Sequence, residues 1–247
     1  MTRQEKILSF HGDQKIKDNY VNRVKLHLKM DEVVKCKNWK NTKGFAIVCT
    51  VNSNSHDVYM AELGISWRLS LLEDYLFESL PNDQAKLFSL QFLKSMPIGV
   101  NTDLIYKKFL LWNLADKKEG LIYHVKDEKQ ILLLKEVVTL HEKSMTEEIP
   151  EEIWKELSDR AIHLALDFSI VGDYHPAYTY KSASDTACFK HNFASTFSDC
   201  PYHSTPALVC TCAFASAFAS EKWQEKFDER IIKMRDVLLK LMIEAKH

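Results

Sequence analysis

Six glycines and six prolines in 247 residues constrain this chain more than any other feature. Glycine normally makes up about 7% of a protein, and tight turns rely on both residues. A sandwich, barrel or propeller needs many such turns. With so few turn formers, helices are the expected solution. Apolar residues are 46% and charged residues 27%. That mixture suits a packed core and excludes a disordered chain. The length allows one large domain or two small ones.

The apolar spacing places the helices. Ile16, Tyr20, Val24, Leu28 and Val33 recur at helical intervals behind Asp13, a good N-cap, and predict a helix over 13–36. A polar loop follows to Gly44. Residues 45–51 form a short apolar run that periodicity leaves open between a buried strand and a helical turn. Residues 52–56 read as a connector rich in capping residues. Helices are then expected over 66–80, stopped by Pro81, and over 82–96, stopped by Pro97 and Gly99. Two more cover 102–116 and 126–144. Pro150 followed by Glu151 and Glu152 opens another, since proline and acids suit a first turn. Residues 172–181 read as a tyrosine-rich loop, and 182–197 and 205–246 as helical. The expected class is mainly α, a single helical domain in two lobes with at most one short strand pair. An acidic hinge over 146–152 divides the lobes into 1–145 and 146–247.

Charge and cysteine usage narrow the surroundings. Lys plus Arg is 33 and Asp plus Glu is 34, so the net charge is 33 − 34 = −1. That balance argues against a nucleic-acid partner held by overall charge. The opening residues are charged and lack the apolar stretch of a signal peptide. The longest uncharged stretch, 204–220, is short and rich in Ser, Thr and Ala, which argues against a membrane span. The six cysteines are then thiols in a reducing compartment. The expected location is cytoplasmic.

Several short motifs cluster in the first hundred residues. They are Phe10-His11-Gly12-Asp13, His27 with Asp31, the run from Lys43-Gly44 to Cys49-Thr50, and His56-x-x-Tyr59. Glu62-Leu63-Gly64-Ile65, Leu72-Glu73-Asp74-x-x-Phe77-Glu78 and Leu80-Pro81-Asn82 complete the set. Together they resemble an uncharacterised family of bacterial and phage proteins. In that family's pattern a cysteine stands at Phe45, a glycine at Val48 and a proline at Ser66. The resemblance implies no known activity. It does imply that these scattered polar residues form one signature.

The chemistry available to that signature is acid–base or ligand-binding. His27 and Asp31 are four apart, as are Asp74 and Glu78, so each pair shares a helix face. Facing one another, they would present one imidazole and three carboxylates, a plausible divalent-metal or proton-transfer cluster. The plain alternative is that such acids simply face water. Cys49 precedes His56 by seven positions, and a turn between them would make a catalytic nucleophile–base pair. Flanked by Ile47, Val48 and Val51, Cys49 is equally a buried, inert thiol. His56-Asp57 is also the dipeptide of metal-dependent phosphohydrolases, for which His27 with either Asp74 or Asp167 would complete a formal ligand set. Further on, Cys188-x-x-His191, Cys200-x-x-His203 and Cys210-x-Cys212 have spacings that can bite zinc. Tyr174, His175, Tyr178 and Tyr180 could wall a ligand, and Lys35, Lys37, Lys40 and Lys43 could attract phosphate. No glycine-rich phosphate loop, serine elbow or dinucleotide fingerprint occurs.

The expected function is capture of a small polar ligand in a pocket lined by His11, Asp13, His27, Asp31, Tyr59, Glu62, Glu73, Asp74 and Glu78. The cofactor stays open, with a divalent metal as one option. A metal-dependent or Cys49/His56 hydrolase of a nucleotide-like substrate is the alternative. A non-catalytic helical scaffold is the third reading.

Overall fold

The computed structural model describes residues 8–30, 33, 46–53, 55–123, 127–170 and 223–245. Within 162–170 and 223–224 it describes the backbone alone. The described residues are mainly helical and contain no strand beyond a single bridge between Leu8 and Asn101. The helices are α1 (Gln14–Lys29), α2 (Ala46–Val51), α3 (His56–Leu63), α4 (Trp67–Ser79), α5 (Asn82–Ser95), α6 (Thr102–Ala115), α7 (Glu128–Lys143), α8 (Glu151–Ile170) and α9 (Trp223–Ile243). Most boundaries fall within a residue or two of the expected ones. The apolar run over 45–51 is helical. The helix α3 was not expected at all. None of the described helices is long and apolar enough to cross a membrane.

Contacts divide the chain into two units. The first joins residues 1–109 to 228–247, and the second holds 110–227. The expected lobe boundary at 145/146 lies inside the second unit. In the first unit α1 packs on α2 and α5, while α4 packs on α2, α3 and α5. Leu69, Leu72, Leu76, Phe88 and Phe92 are fully buried there. From α9, Ile231, Met234, Leu238 and Met242 are buried at helical spacing. Arg235 of the same helix donates to Gln84 Oε1 at 2.5 Å. In the second unit, α7 and α8 form an antiparallel hairpin. The His141 ring lies tilted against Trp154 with ring centroids 4.9 Å apart, and Arg160 bridges Glu136 at 2.7 Å.

A tight turn before α1 positions that helix in the first unit. Phe10 and His11 both take left-handed backbone angles, φ 52° and 50°. Each such residue costs about 1–2 kcal/mol. Several contacts hold the turn in place. The Phe10 ring is fully buried. Ser9 Oγ donates to Pro97 O at 2.5 Å, and Ser9 N to Val100 O at 3.0 Å. His11 Nε2 meets Ala61 O at 2.9 Å. Asp13 then caps α1 by accepting from Lys15 N at 2.7 Å.

Gly64 closes this arrangement. It ends α3 with φ +61°, and a Cβ there would lie 2.1 Å from the Leu8 carbonyl oxygen. Two of the motifs singled out in the sequence, the one at Phe10 and the one at Gly64, therefore touch. Gly64→Ala meets both a forbidden contact with backbone and a strained φ. It is expected to lower stability by at least about 2 kcal/mol, measured as the shift in a urea-denaturation midpoint. A loss under half of that would show that the turn moves aside freely.

Candidate functional site

Helix α1 aligns Tyr20, Arg23 and His27 at positions i, i+3 and i+7, hence on one face. They form one wall of an open cleft of about 590 Å³, completed by Val51, Asn52 and Glu62. The Tyr20 hydroxyl donates to Glu62 Oε2 at 2.5 Å. Burial, then the bond and charge of Glu62, raise the Tyr20 phenol to about 12, so it remains a donor at ordinary pH. Arg23 Nη1 donates to the Thr50 carbonyl at 2.9 Å, near the C-terminal end of α2, and its guanidinium lies 5.0 Å from the Tyr20 ring centroid. Asn52 sits just past α2 in a left-handed conformation, φ 55°, which asparagine tolerates well. His27 and Glu62 were candidates from sequence. Tyr20, Arg23 and Asn52 were not. An arginine and a tyrosine three apart on an amphipathic helix carry no signal until a second helix arrives opposite them.

A second polar group lies between α3 and α4. Tyr59 and Glu73 are both fully buried, and the phenol donates to Glu73 Oε2 at 2.6 Å. Burial pushes both groups well above their usual values; the charge and bond of Glu73 raise Tyr59 further, whereas the Tyr59 bond opposes the rise of Glu73. Burial thus favours the neutral form of Glu73. The Ser89 hydroxyl beside it favours the charged form and opposes the effect of burial.

One turn away, His56 Nδ1 lies 2.8 Å from Ser70 Oγ, and His56 Nε2 lies 3.6 Å from Asp74 Oδ2. Ser70 directs its own proton to Trp67 O at 2.8 Å. It must therefore accept from Nδ1–H, which leaves the Nε2 lone pair facing Asp74. The set contains serine, histidine and aspartate, but Ser70 is fully buried and its proton is engaged. This geometry holds a proton rather than presenting a nucleophile. Burial lowers His56 to about 4, with Asp57 opposing. Burial raises Asp74 to about 7, against the Ile47 N–H at 3.3 Å and with the help of Glu78. At mildly acidic pH the imidazole is neutral and Asp74 is mostly protonated.

The other sequence candidates are dispersed. His11 and Asp13 belong to the turn before α1. Cys49 is a buried thiol in no disulfide, and the His56 nitrogens face Ser70 and Asp74. Glu78 lies one turn beyond Asp74 with a buried Oε1. Asp31, Lys35, Lys37, Lys40 and Lys43 lie outside the described residues, as do the tyrosine-rich loop at 174–180, the cysteine–histidine pairs at 188–212 and the Asp167 side chain. Among the described residues, no group of three or more His, Cys, Asp or Glu side chains could hold a metal ion. Comparison with protein-family models, with curated proteins and with solved structures finds no match.

Two expectations follow from the buried groups. Between about pH 4 and 6.5, the folded His56–Asp74 pair holds one proton on the acid, and the unfolded pair holds one on the imidazole. The counts are equal, so the pair leaves stability nearly independent of pH. His56→Asn removes the imidazole and exposes the Asp74 contribution. A raised carboxyl stabilises fully below its unfolded value of 3.8, and that contribution fades as pH rises through about 7. The penalty of His56→Asn should therefore grow by up to ~1.4 kcal/mol per pH unit across this window. Urea unfolding of parent and variant at several pH values measures it, and parallel profiles would refute the neutral-pair assignment. For the neighbouring pair, Tyr59→Phe leaves a buried acceptor without its donor and should cost about 1–3 kcal/mol, whereas Glu73→Gln keeps the bond and should stay within about 1 kcal/mol of the parent. Thermal melts at neutral pH distinguish the two.

Proposed function

We propose that the protein binds a small polar ligand in the cleft between α1, the end of α2 and α3. The observation that carries this reading is the convergence of Tyr20, Arg23, His27, Asn52 and Glu62 around one open space of about 590 Å³. Small-molecule sites commonly occupy roughly 300–1,000 Å³ and combine a few oriented polar groups with apolar wall. Here Val51 supplies apolar wall. Arg23 and Glu62 are each held in place by one internal hydrogen bond. A pre-set orientation of this kind lowers the entropy lost on binding. The reading keeps the imidazole-and-carboxylate lining expected from the sequence, but with His27 and Glu62 as its members. His56, Tyr59, Glu73 and Asp74 act in it as internal support for α3 and α4.

The test is direct. The full chain, purified without denaturation, should release a small molecule when unfolded, detectable by untargeted mass spectrometry. Arg23→Ala should abolish this release while Arg160→Ala, in the second unit, leaves it intact. A metabolite panel should contain at least one compound that raises the melting temperature of the parent and not of Arg23→Ala. Absence of both a released molecule and any such shift would defeat the proposal.

A further inference from the structure

The cleft's two charged groups point to the class of its ligand. Arg23 and Glu62 have opposite charge and both are tied to one tyrosine. The guanidinium lies over the Tyr20 ring at 5.0 Å, and the carboxylate accepts from the Tyr20 hydroxyl at 2.5 Å. One small molecule can therefore reach both. Yet they do not form an ion pair with each other. Arg23 donates instead to the Thr50 carbonyl, and Glu62 accepts from a neutral phenol. Two opposite charges in one cleft, each oriented by a neutral partner, keep most of their capacity for outside contacts. Arg23 has five N–H donors, of which Nη1 is engaged with Thr50. Glu62 keeps Oε1 beside the engaged Oε2.

Resting on the ligand-binding reading above, we infer that the ligand is a zwitterion, with an anionic carboxylate or phosphate for Arg23 and a protonated amine for Glu62. A purely anionic ligand attracted to the guanidinium would meet the Glu62 carboxylate in the same space. A purely cationic ligand would meet Arg23. Only a molecule carrying both charges gains from both groups, and charge-assisted hydrogen bonds are about twice as strong as neutral ones. Asn52 lines the same cleft and offers both a donor and an acceptor, so it complements either end. The smallest molecules of this class are free α-amino acids, and the cleft volume leaves room for a side chain or a second residue.

The experiment is calorimetric titration and thermal shift on the full chain, using the twenty free amino acids, a set of dipeptides and phosphoethanolamine. Each compound that binds is then compared with two blocked forms, one acetylated on the amine and one amidated or esterified at the acid. Expected is at least about tenfold weaker binding for both blocked forms. Arg23→Gln should weaken the parent compound by a similar factor but not the acid-blocked form. Glu62→Gln, which keeps the shape, should do the same with respect to the amine-blocked form. Should Glu62→Gln fold poorly by circular dichroism, Tyr20→Phe serves in its place, because it frees the carboxylate without deleting it; the amine-dependence of binding should then persist. Blocked forms that bind as well as the parent overturn the inference. So does a co-purifying molecule that lacks one of the two charges, while ligand binding itself would stand. If nothing co-purifies and no compound in the set or the metabolite panel shifts the melt, both readings fall together.

Discussion

Polar groups removed from water along α3 are the constraint on which the first unit depends. This helix has only eight residues. It must satisfy an imidazole, a phenol and a carboxylate toward two different neighbours. His56 and Tyr59 find Ser70, Asp74 and Glu73 on α4, while Glu62 finds Tyr20 on α1. Buried polar groups without partners cost more than partnered ones gain. The positions of α1 and α4 against α3 are thus narrowly specified. Gly64 ends the helix where the Leu8 carbonyl leaves no space for a side chain. The same helix end receives the His11 ring at Ala61. The cleft wall on α1 follows from these contacts, because the turn at Phe10 leads directly into that helix.

The two polar assemblies use similar residues for different ends. Between α3 and α4 burial works against charge. It raises Glu73 and Asp74 and depresses His56, so the network favours protonated acids and a neutral imidazole. A neutral network avoids much of the desolvation cost that a buried ion pair carries. In the cleft the groups remain partly accessible. Arg23 and Glu62 are fixed by neutral partners, and their outer edges stay available. Depth of burial, rather than residue type, separates the two assemblies.

Much of the helical framework was legible from local pattern. Proline and glycine marked the ends of α4 and α5, and Asp13 marked the start of α1, where its side chain caps as expected. The run at Ala46–Val51 was ambiguous because a short apolar stretch fits a strand or a helix equally. Helix α3 escaped notice for a different reason. Its start follows Asn52 and Ser53, residues that favour turns, and its polar side chains face two partners instead of one solvent side. Its hydrophobic pattern is correspondingly weak. His27 and Glu62 could be singled out as chemistry-bearing residues, but Tyr20 read as one position of an apolar helix face and Arg23 looked like any helix surface.

The sequence by itself determined the helical class, the main breaks between helices and the identity of the ionisable groups available for use. These follow from interactions within a few residues: caps, turn formers and apolar spacing. Tertiary structure alone decided which of those groups meet. Tyr20 and Glu62 are 42 positions apart, and Tyr59 and Glu73 are 14 apart. Such pairings arise from the packing of separate helices, and so do the burial and proton affinity of each group. Desolvation is a property of the assembled surroundings, which is why identical carboxylates became a neutral support in one place and an open contact in another.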